Sequence, residues 1–403
     1  MHAMPERESI NYNALILRFS GEIGIKSPRV RPRYERSVVK RVCFVLRRCG
    51  IPYERVIHTY GRVYVHTDRV WDALNPLLRV FGISSVSPAV ATFSDMGGMA
   101  ELAVQVADAT FGEGSSFAVR CRRVGRHPYT SVDVCRELGS AILKRLPHKR
   151  LKVDLTHPEH TINVEVRGED AYIYMHVYEG AGGLPLGSQG RVVCLLSGGI
   201  DSPVACWLAM RRGCLATPIH FDTTPYTSEG ETERAMELAK ILQGWMLGLK
   251  MRMYVIPHGG NLDEIRASAP EEYTCMLCKR LMYRIADRIA DMERAEAIIT
   301  GEIIGEQASQ TLRNLRVLDQ ALTRRRVLRP LLCHDKVEVE RLARKIGTYE
   351  ISAGEAGRCK AAPRRPATRS NVDEIARIEE TLDVDGMIER SLKSLKIITI
   401  SQS

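Results

Sequence analysis

The first 180 residues carry short runs in which apolar and polar positions alternate, as half-buried strands require. They fall at 14–19, 62–66, 116–121, 152–155, 161–166 and 171–178. Helical patterns separate them: a basic stretch ending near Cys49, two short segments over 72–80 and 100–109, and 133–146. In the last, Val134, Leu138, Ile142 and Leu146 recur at i, i+4 spacing. This is an α+β pattern. A glycine-rich stretch at 180–187 predicts a linker, and beyond it the rhythm changes. An apolar run without alternation at 192–196 and short apolar-rich strand patterns at 216–221, 251–256 and 297–300 alternate with helical patterns at 204–212, 229–242, 278–292 and 335–346. Runs without alternation suit strands covered on both faces. Their alternation with helices predicts an α/β domain with a doubly wound parallel sheet.

At 403 residues the chain has material for two or three domains. No apolar run approaches the length of a membrane span and no secretory signal pattern is present, so a cytoplasmic location without membrane attachment is expected. Eleven cysteines in such a chain point to buried thiols and a few that do chemistry, not to a disulfide scaffold. Lys and Arg number 58 against 48 acidic residues. The surplus is concentrated: 29–55 holds nine basic and two acidic residues, and 120–152 holds ten and two. Two such blocks are a polyanion footprint, and a nucleic acid is the expected partner.

The run at 192–196 leads into Ser197-Gly198-Gly199-Ile200-Asp201-Ser202-Pro203. Strand, glycine turn and helix start aim several backbone N–H groups at one point, where a phosphate can sit. Ser202 is the expected N-cap and Pro203 the first helical residue. No Gly-Lys-Ser/Thr follows, so this is not a Walker loop. Ser-Gly-Gly-Ile-Asp-Ser resembles instead the pyrophosphate loop of the ATP pyrophosphatases, which cleave ATP between the α- and β-phosphates. An aspartate in an anion site calls for a cation between it and the phosphates, and Mg²⁺ at Asp201 is expected.

Further motifs narrow the resemblance: Gly-Gly-Leu-Pro before the loop, Thr300-Gly301-Glu302, 307–312 with Asn314-Leu315, Arg329-Pro330-Leu331, 335–338 and 347–352. Together they resemble the tRNA 4-thiouridine synthetases (the ThiI family) over nearly the whole chain. The resemblance implies a ferredoxin-like domain at 1–70, an RNA-binding THUMP domain at 71–180 and a pyrophosphate-loop catalytic domain at 181–403. The rhodanese domain of many bacterial members is not expected here. The implied activity is ATP-dependent: uracil O4 of a tRNA uridine, at position 8, is adenylylated, and sulfur then displaces AMP. ATP would lie against Leu195, Leu196, Ser197, Gly198, Gly199, Asp201, Ser202, His220, Phe221, Lys279, Gly301 and Gln310. Lys336, at the start of a predicted helix, matches a lysine implicated in adenylylation and would neutralise charge on the phosphorus. The resemblance also favours a homodimer. Two other readings are another pyrophosphate-loop ligase, such as an amidotransferase-like synthetase, and an RNA-binding protein with a degenerate nucleotide site. The first has no need of basic N-terminal domains, and the intact loop weighs against the second.

Cys275 and Cys278 form a C-x-x-C pair expected just before a helix, and Cys359 lies among five basic residues between 358 and 369. Cys359-Lys360-Ala361-Ala362-Pro363 resembles the segment carrying the family's active-site cysteine. With the pair present and no rhodanese partner, the resemblance implies an iron–sulfur cluster on Cys275, Cys278 and Cys359 with one iron open to sulfide. A redox dithiol, a structural zinc with Cys333 as fourth ligand, and inert thiols stay open. The sulfur donor, sulfide or a persulfide carrier, is not named by the sequence. Cysteines 43, 49, 121, 135, 194, 206 and 214 read as packing.

Overall fold

The computed structural model describes residues 10–228, 230–354 and 359–401, and the chain divides into two compact units, 1–183 and 184–403. The first unit contains, in order, β1 (Ala14–Phe19), α1 (Gly21–Gly24), α2 (Arg31–Arg48), β2 (Arg55–Thr59), β3 (Arg62–His66), α3 (Val70–Leu78), β4 (Ile83–Phe93), α4 (Met96–Thr110), β5 (Ser116–Val124), α5 (Ser131–Arg145), β6 (Lys152–Val153), β7 (His160–Arg167), β8 (Asp170–Tyr174) and β9 (Tyr178–Glu179). The strands form one sheet in the order β2-β3-β1-β4-β8-β7-β5-β6, with β9 on β4.

Sequence pattern explains the main helices. Val38, Val42, Val45 and Leu46 make one buried stripe of α2, and its arginines lie mostly off that stripe. Thr130 and Asp133 close a reciprocal capping box at the start of α5, and Val134, Leu138 and Ile142 are buried beneath it. β4 serves both halves of the sheet: residues 83–89 pair with β1 and residues 90–93 with β8. The sheet is therefore continuous across the border expected near residue 70. The expected linker is also partly structural. Gly180, Ala181 and Gly182 donate backbone hydrogen bonds to Ser84, Leu78 and Ile83, and a Cβ on Gly180 would stand 2.5 Å from the Ile83 carbonyl oxygen.

A charged hub lies within this sheet. The Glu165 side chain is 1% exposed and its Oε1 accepts from Tyr64 Oη (2.7 Å), Arg62 Nε (3.0 Å) and Arg167 Nη2 (2.7 Å). Burial alone would raise the carboxyl's pKa. The two guanidiniums and the phenol outweigh it, and the carboxyl is held below its ordinary range. Glu165→Ala, which strands two half-buried cations beside a buried site, is expected to destabilise this unit by about 3 kcal/mol in urea unfolding. A loss below about 1 kcal/mol would show that the hub is not a stabilising element.

The second unit contains β10 (Arg191–Leu195), α6 (Asp201–Arg211), β11 (Leu215–Asp222), α7 (Gly230–Trp245), β12 (Met251–Pro257), α8 (Gly259–Ser268), α9 (Thr274–Glu293), β13 (Ala297–Ile299), α10 (Leu312–Asp319), β14 (Arg326–Leu328), α11 (Lys336–Ile346), α12 (Tyr349–Ser352), α13 (Val372–Glu379), α14 (Val384–Ser394) and β15 (Lys396–Ile400). The sheet order is β14-β13-β10-β11-β12-β15, parallel except for the edge strand β15. The chain runs from β10 outward to β11 on one side and later returns to place β13 on the other. β10 is thus the switch point, and a crevice opens at the carboxyl ends of β10, β11 and β13.

Two helix starts differ from expectation. α6 begins at Asp201, and Ser202 is not its N-cap: the hydroxyl turns back into the loop and accepts from Ser197 N at 2.9 Å. α9 begins at Thr274, so the C-x-x-C pair lies inside the helix, at its second and fifth residues. The apolar periodicity extends back through Met276 and Leu277, both buried, and the turn at Glu271–Tyr273 supplies the entry. Among the described residues no helix is long and apolar enough to cross a membrane.

Candidate active site

The crevice is a cleft of about 360 Å³. Of the residues expected at ATP, Leu195, Leu196, Ser197, Gly199, Asp201, Ser202, His220, Phe221, Lys279, Gly301 and Gln310 line it, and Gly198 does not. The loop is braced from within: Ser197 Oγ lies 3.0 Å from Ser202 Oγ and accepts from Gly199 N at 3.3 Å. Gly198 instead faces α7, where an added Cβ would stand 2.5 Å from Glu231 Oε2. Gly301 has a different reason to be glycine. A Cβ there would meet Ser202 N at 2.7 Å and the Asp201 carbonyl carbon at 2.8 Å. Only a bare Cα lets the end of β13 approach the start of α6 this closely.

His220 is buried between loop and helix. Its Nδ1 donates to the Leu196 carbonyl (2.9 Å), which leaves Nε2 to accept from Thr232 Oγ1 (3.1 Å). Burial lowers its pKa below the ordinary histidine range and keeps the ring neutral. It fixes the loop strand against α7 and presents one face to the cleft.

Lys336 is the first residue of α11, whose capping box of Asp335 and Glu338 fixes the helix start. Its Nζ donates to Asp201 Oδ1 at 2.7 Å and to Glu306 Oε1 at 2.6 Å. Burial pushes the Asp201 carboxyl up, Lys336 only partly offsets this, and Glu306 and Glu340 add to the rise. Partial burial would lower the Lys336 ammonium, but its two carboxylate partners outweigh that and raise it. Two carboxylates around one ammonium leave a negative excess that a cation can neutralise, and oxygen donors of this kind suit Mg²⁺.

Glu302 belongs to the quoted Gly-Glu motif, but its role was not legible in the sequence. It is 5% exposed and accepts from Arg329 Nε (2.7 Å), Tyr283 Oη (2.7 Å), Lys279 Nζ (3.2 Å) and Thr300 Oγ1 (3.2 Å). Burial would raise the carboxyl; Lys279 and Arg329 outweigh it and hold it low. The carboxylate thus holds Lys279 at the cleft wall. Neither Arg329 nor Tyr283 stands near it in sequence, and only the fold supplies that signal.

Cys275 and Cys278 are the second and fifth residues of α9, and Cys359 packs against the same core as Cys278. Burial pushes the Cys275 and Cys278 thiols up, Lys279 opposes the rise, and Cys359 adds to it. Cys275 and Lys279 are one turn apart on α9, and Lys279 faces the cleft. Cys359 is half-buried; its neighbour Arg358 lies outside the described residues. Cys333 is exposed, as is Cys49, whereas Cys194 and Cys206 are buried. Three thiols are a donor set that suits iron–sulfur chemistry. Among the described residues, however, no three His, Cys, Asp or Glu side chains stand arranged to hold a metal ion.

The switch-point cleft, the braced Ser-Gly-Gly loop and the parallel sheet define a pyrophosphate-loop nucleotide-binding domain, here following an α+β unit. The model of the family described as "Thiamine biosynthesis protein (ThiI)" matches residues 187–384, the ThiI ferredoxin-like domain 14–87 and the THUMP domain 93–176. A protein of Methanosarcina mazei named "Probable tRNA sulfurtransferase" is 40% identical over 392 residues, 96% of each chain. One of the same name from Methanobrevibacter smithii is 38% identical over 96% of this chain and all of its own. The chain belongs to the ThiI family. A solved "4-thiouridine synthetase - RNA complex with bound ATP" superposes with a TM-score of 0.84 at 32% identity, covering 97% of this chain and 100% of that one.

Proposed function

We propose that the chain is an ATP-dependent tRNA sulfurtransferase that converts a tRNA uridine, at position 8, to 4-thiouridine. The observation that carries this reading is the pairing of a pyrophosphate-loop cleft with cysteines on one of its wall helices, Cys275 and Cys278 of α9, with Cys359 packed against the same core as Cys278. The names of the full-length relatives and the bound RNA and ATP of the related structure support it.

ATP binds in the cleft with its phosphates toward the loop, and Asp201 would hold Mg²⁺, which would neutralise phosphate charge. Uracil O4 attacks the α-phosphorus, N3 loses its proton and pyrophosphate leaves. Lys336 supports the charge that develops on the phosphoryl oxygens. Activation is needed because a carbonyl oxygen is a poor leaving group and adenylate a good one. Sulfide then bonds to C4, the C4–O bond breaks and AMP departs with that oxygen. Cys275, Cys278 and Cys359 hold the sulfur on the α9 side of the cleft. An iron–sulfur cluster bound by the three would supply an open iron that carries sulfide. The donor is sulfide itself, or a persulfide carrier whose outer sulfur a second thiol releases as sulfide while the two thiols become a disulfide, and the protein works as a cytoplasmic homodimer. Incubating the purified protein with tRNA, Mg-ATP and sulfide, then digesting to nucleosides for mass spectrometry, tests the reading. A uridine-free position 8 should give no product. Failure to form any 4-thiouridine with each donor class would overturn the assignment.

The polyanion footprint gives a second expectation. Arg120, Arg122 and Arg126 are exposed on and just after β5. Affinity for tRNA should fall steeply with salt as counterions are released. Reversing these three residues to Glu should flatten the slope of log K against log salt by about two to three. An unchanged slope would remove this face from the RNA interface.

A further inference from the structure

We propose that His258 is a positioning residue for the sulfur chemistry, donating its Nε2–H to Cys278 Sγ, with Asn261 and Ser391 holding the ring in the tautomer that can donate. The role rests on the reading of Cys278 as a sulfur-handling residue, whereas the hydrogen-bond chain does not.

His258 follows β12 directly and is 0% exposed. Its Nε2 stands 3.4 Å from Cys278 Sγ, within the longer range of sulfur hydrogen bonds. Its Nδ1 is 3.0 Å from Asn261 Nδ2, and the same amide nitrogen lies 2.9 Å from Ser391 Oγ. An amide NH₂ has two hydrogens, so it can donate to both atoms. Nδ1 is then an acceptor, and the ring proton of a neutral imidazole must sit on Nε2, facing the sulfur. Every member of the chain is buried: Asn261 is 6% exposed, Ser391 2% and Cys278 9%.

A buried ring with both nitrogens bonded is an orienting device, because turning it would break two hydrogen bonds at a fully buried site. Three separate elements converge to build it: the entry to α8, helix α9 and helix α14. The ring also packs edge-on against Phe221, with centroids 5.2 Å apart at 72°. Phe221 lines the nucleotide cleft. Cys278 is therefore held one side chain behind the cleft wall, by a ring that touches that wall.

Ring-nitrogen NMR shifts of histidine-labelled full-length protein give the direct test. The His258 signal is assigned by its disappearance in His258→Gln. Wild type should show a single Nε2–H tautomer, and Asn261→Leu should lose that single state. A wild-type Nδ1–H tautomer would overturn the proposal whatever the enzyme does. In turnover, His258→Phe keeps the ring volume without the donor and should lower 4-thiouridine formation at least about tenfold, the scale of a hydrogen bond to a charged group. His258→Gln, with an amide donor, should recover part of that loss, and adenylylation of tRNA should persist in both. Equal loss in the Phe and Gln variants, or adenylylation falling in parallel, would reduce His258 to a packing residue. If Cys278→Ala thiolates normally while the tautomer is as stated, the sulfur reading fails and the hydrogen-bond chain stands. Should His258→Phe not fold, the wild-type and Asn261→Leu measurements decide the matter alone.

Discussion

Asp201→Ala is expected to lower adenylylation of tRNA by about 10²–10³-fold, the scale on which charge-stabilising groups act in transition states. Affinity for tRNA should change little, since the basic blocks of the sequence lie at 29–55 and 120–152. Lys336→Ala should be similarly severe. The more discriminating expectation concerns the pair. The two side chains touch at 2.7 Å, and Glu306 shares the same ammonium. Groups in direct contact act as a unit, so the double variant should lose little more than either single one. Independent sites would multiply their losses. Each single variant also leaves an uncompensated charge: Lys336→Ala frees two neighbouring carboxylates, and Asp201→Ala leaves Lys336 with Glu306 alone. Lys336→Ala should for that reason bind Mg²⁺ without nucleotide more tightly than wild type. Pyrophosphate release with tRNA and ATP measures the first effect, and calorimetry with Mg²⁺ the second. Multiplicative losses, or an Asp201→Ala enzyme at the wild-type rate, would place the phosphorus elsewhere.

The loop was legible because its information is local: a strand, a turn and a helix start within twelve residues, each with its own residue chemistry. What completes the site is not local. Lys336 reaches Asp201 across 135 residues of chain. Sequence places the lysine at a helix start and the aspartate in the loop, yet nothing in either motif says that one neutralises the other. Gly301 reads in sequence as part of a Thr-Gly-Glu motif, and its steric role follows only once β13 lies against α6. Ser202 shows the opposite failure: a good N-cap by local rules, it is drawn into the loop because Ser197 N needs a partner there. β15 pairs antiparallel with β12 at the sheet edge, and a five-residue edge strand far from its partner has little pattern to betray it. His258 carried no signal at all, for a lone histidine after a strand is ordinarily a packed core residue.

Replacing Cys275, Cys278 or Cys359 singly by alanine is expected to abolish 4-thiouridine formation while adenylylation continues. Cys359 is more than 80 residues from the pair, and the fold packs it against the core that contains Cys278. Adenylylation is expected to depend on the loop, Asp201 and Lys336, which contribute no thiol. The chemistry at the three sulfurs then separates by what each substitution removes besides turnover. A cluster held by all three should lose iron from every single variant, because two thiolates leave its binding incomplete. A dithiol mechanism should show no iron in the wild type and should keep the split between the two half-reactions. A structural metal should cost folding first, since its binding energy is folding energy. The buried Cys278 sharpens the comparison. Its thiol is pushed up by burial beside His258, so a thiolate there needs a cation, a metal or a donor to hold it. Its truncation should cost more packing than that of the half-buried Cys275 or Cys359, so the thermal midpoint is needed to separate lost chemistry from lost packing. Iron and sulfide content, thermal midpoint and 4-thiouridine yield, measured on the three variants prepared without oxygen, test the set. Normal thiolation in all three would return these cysteines to the core and remove sulfur transfer from this wall of the cleft.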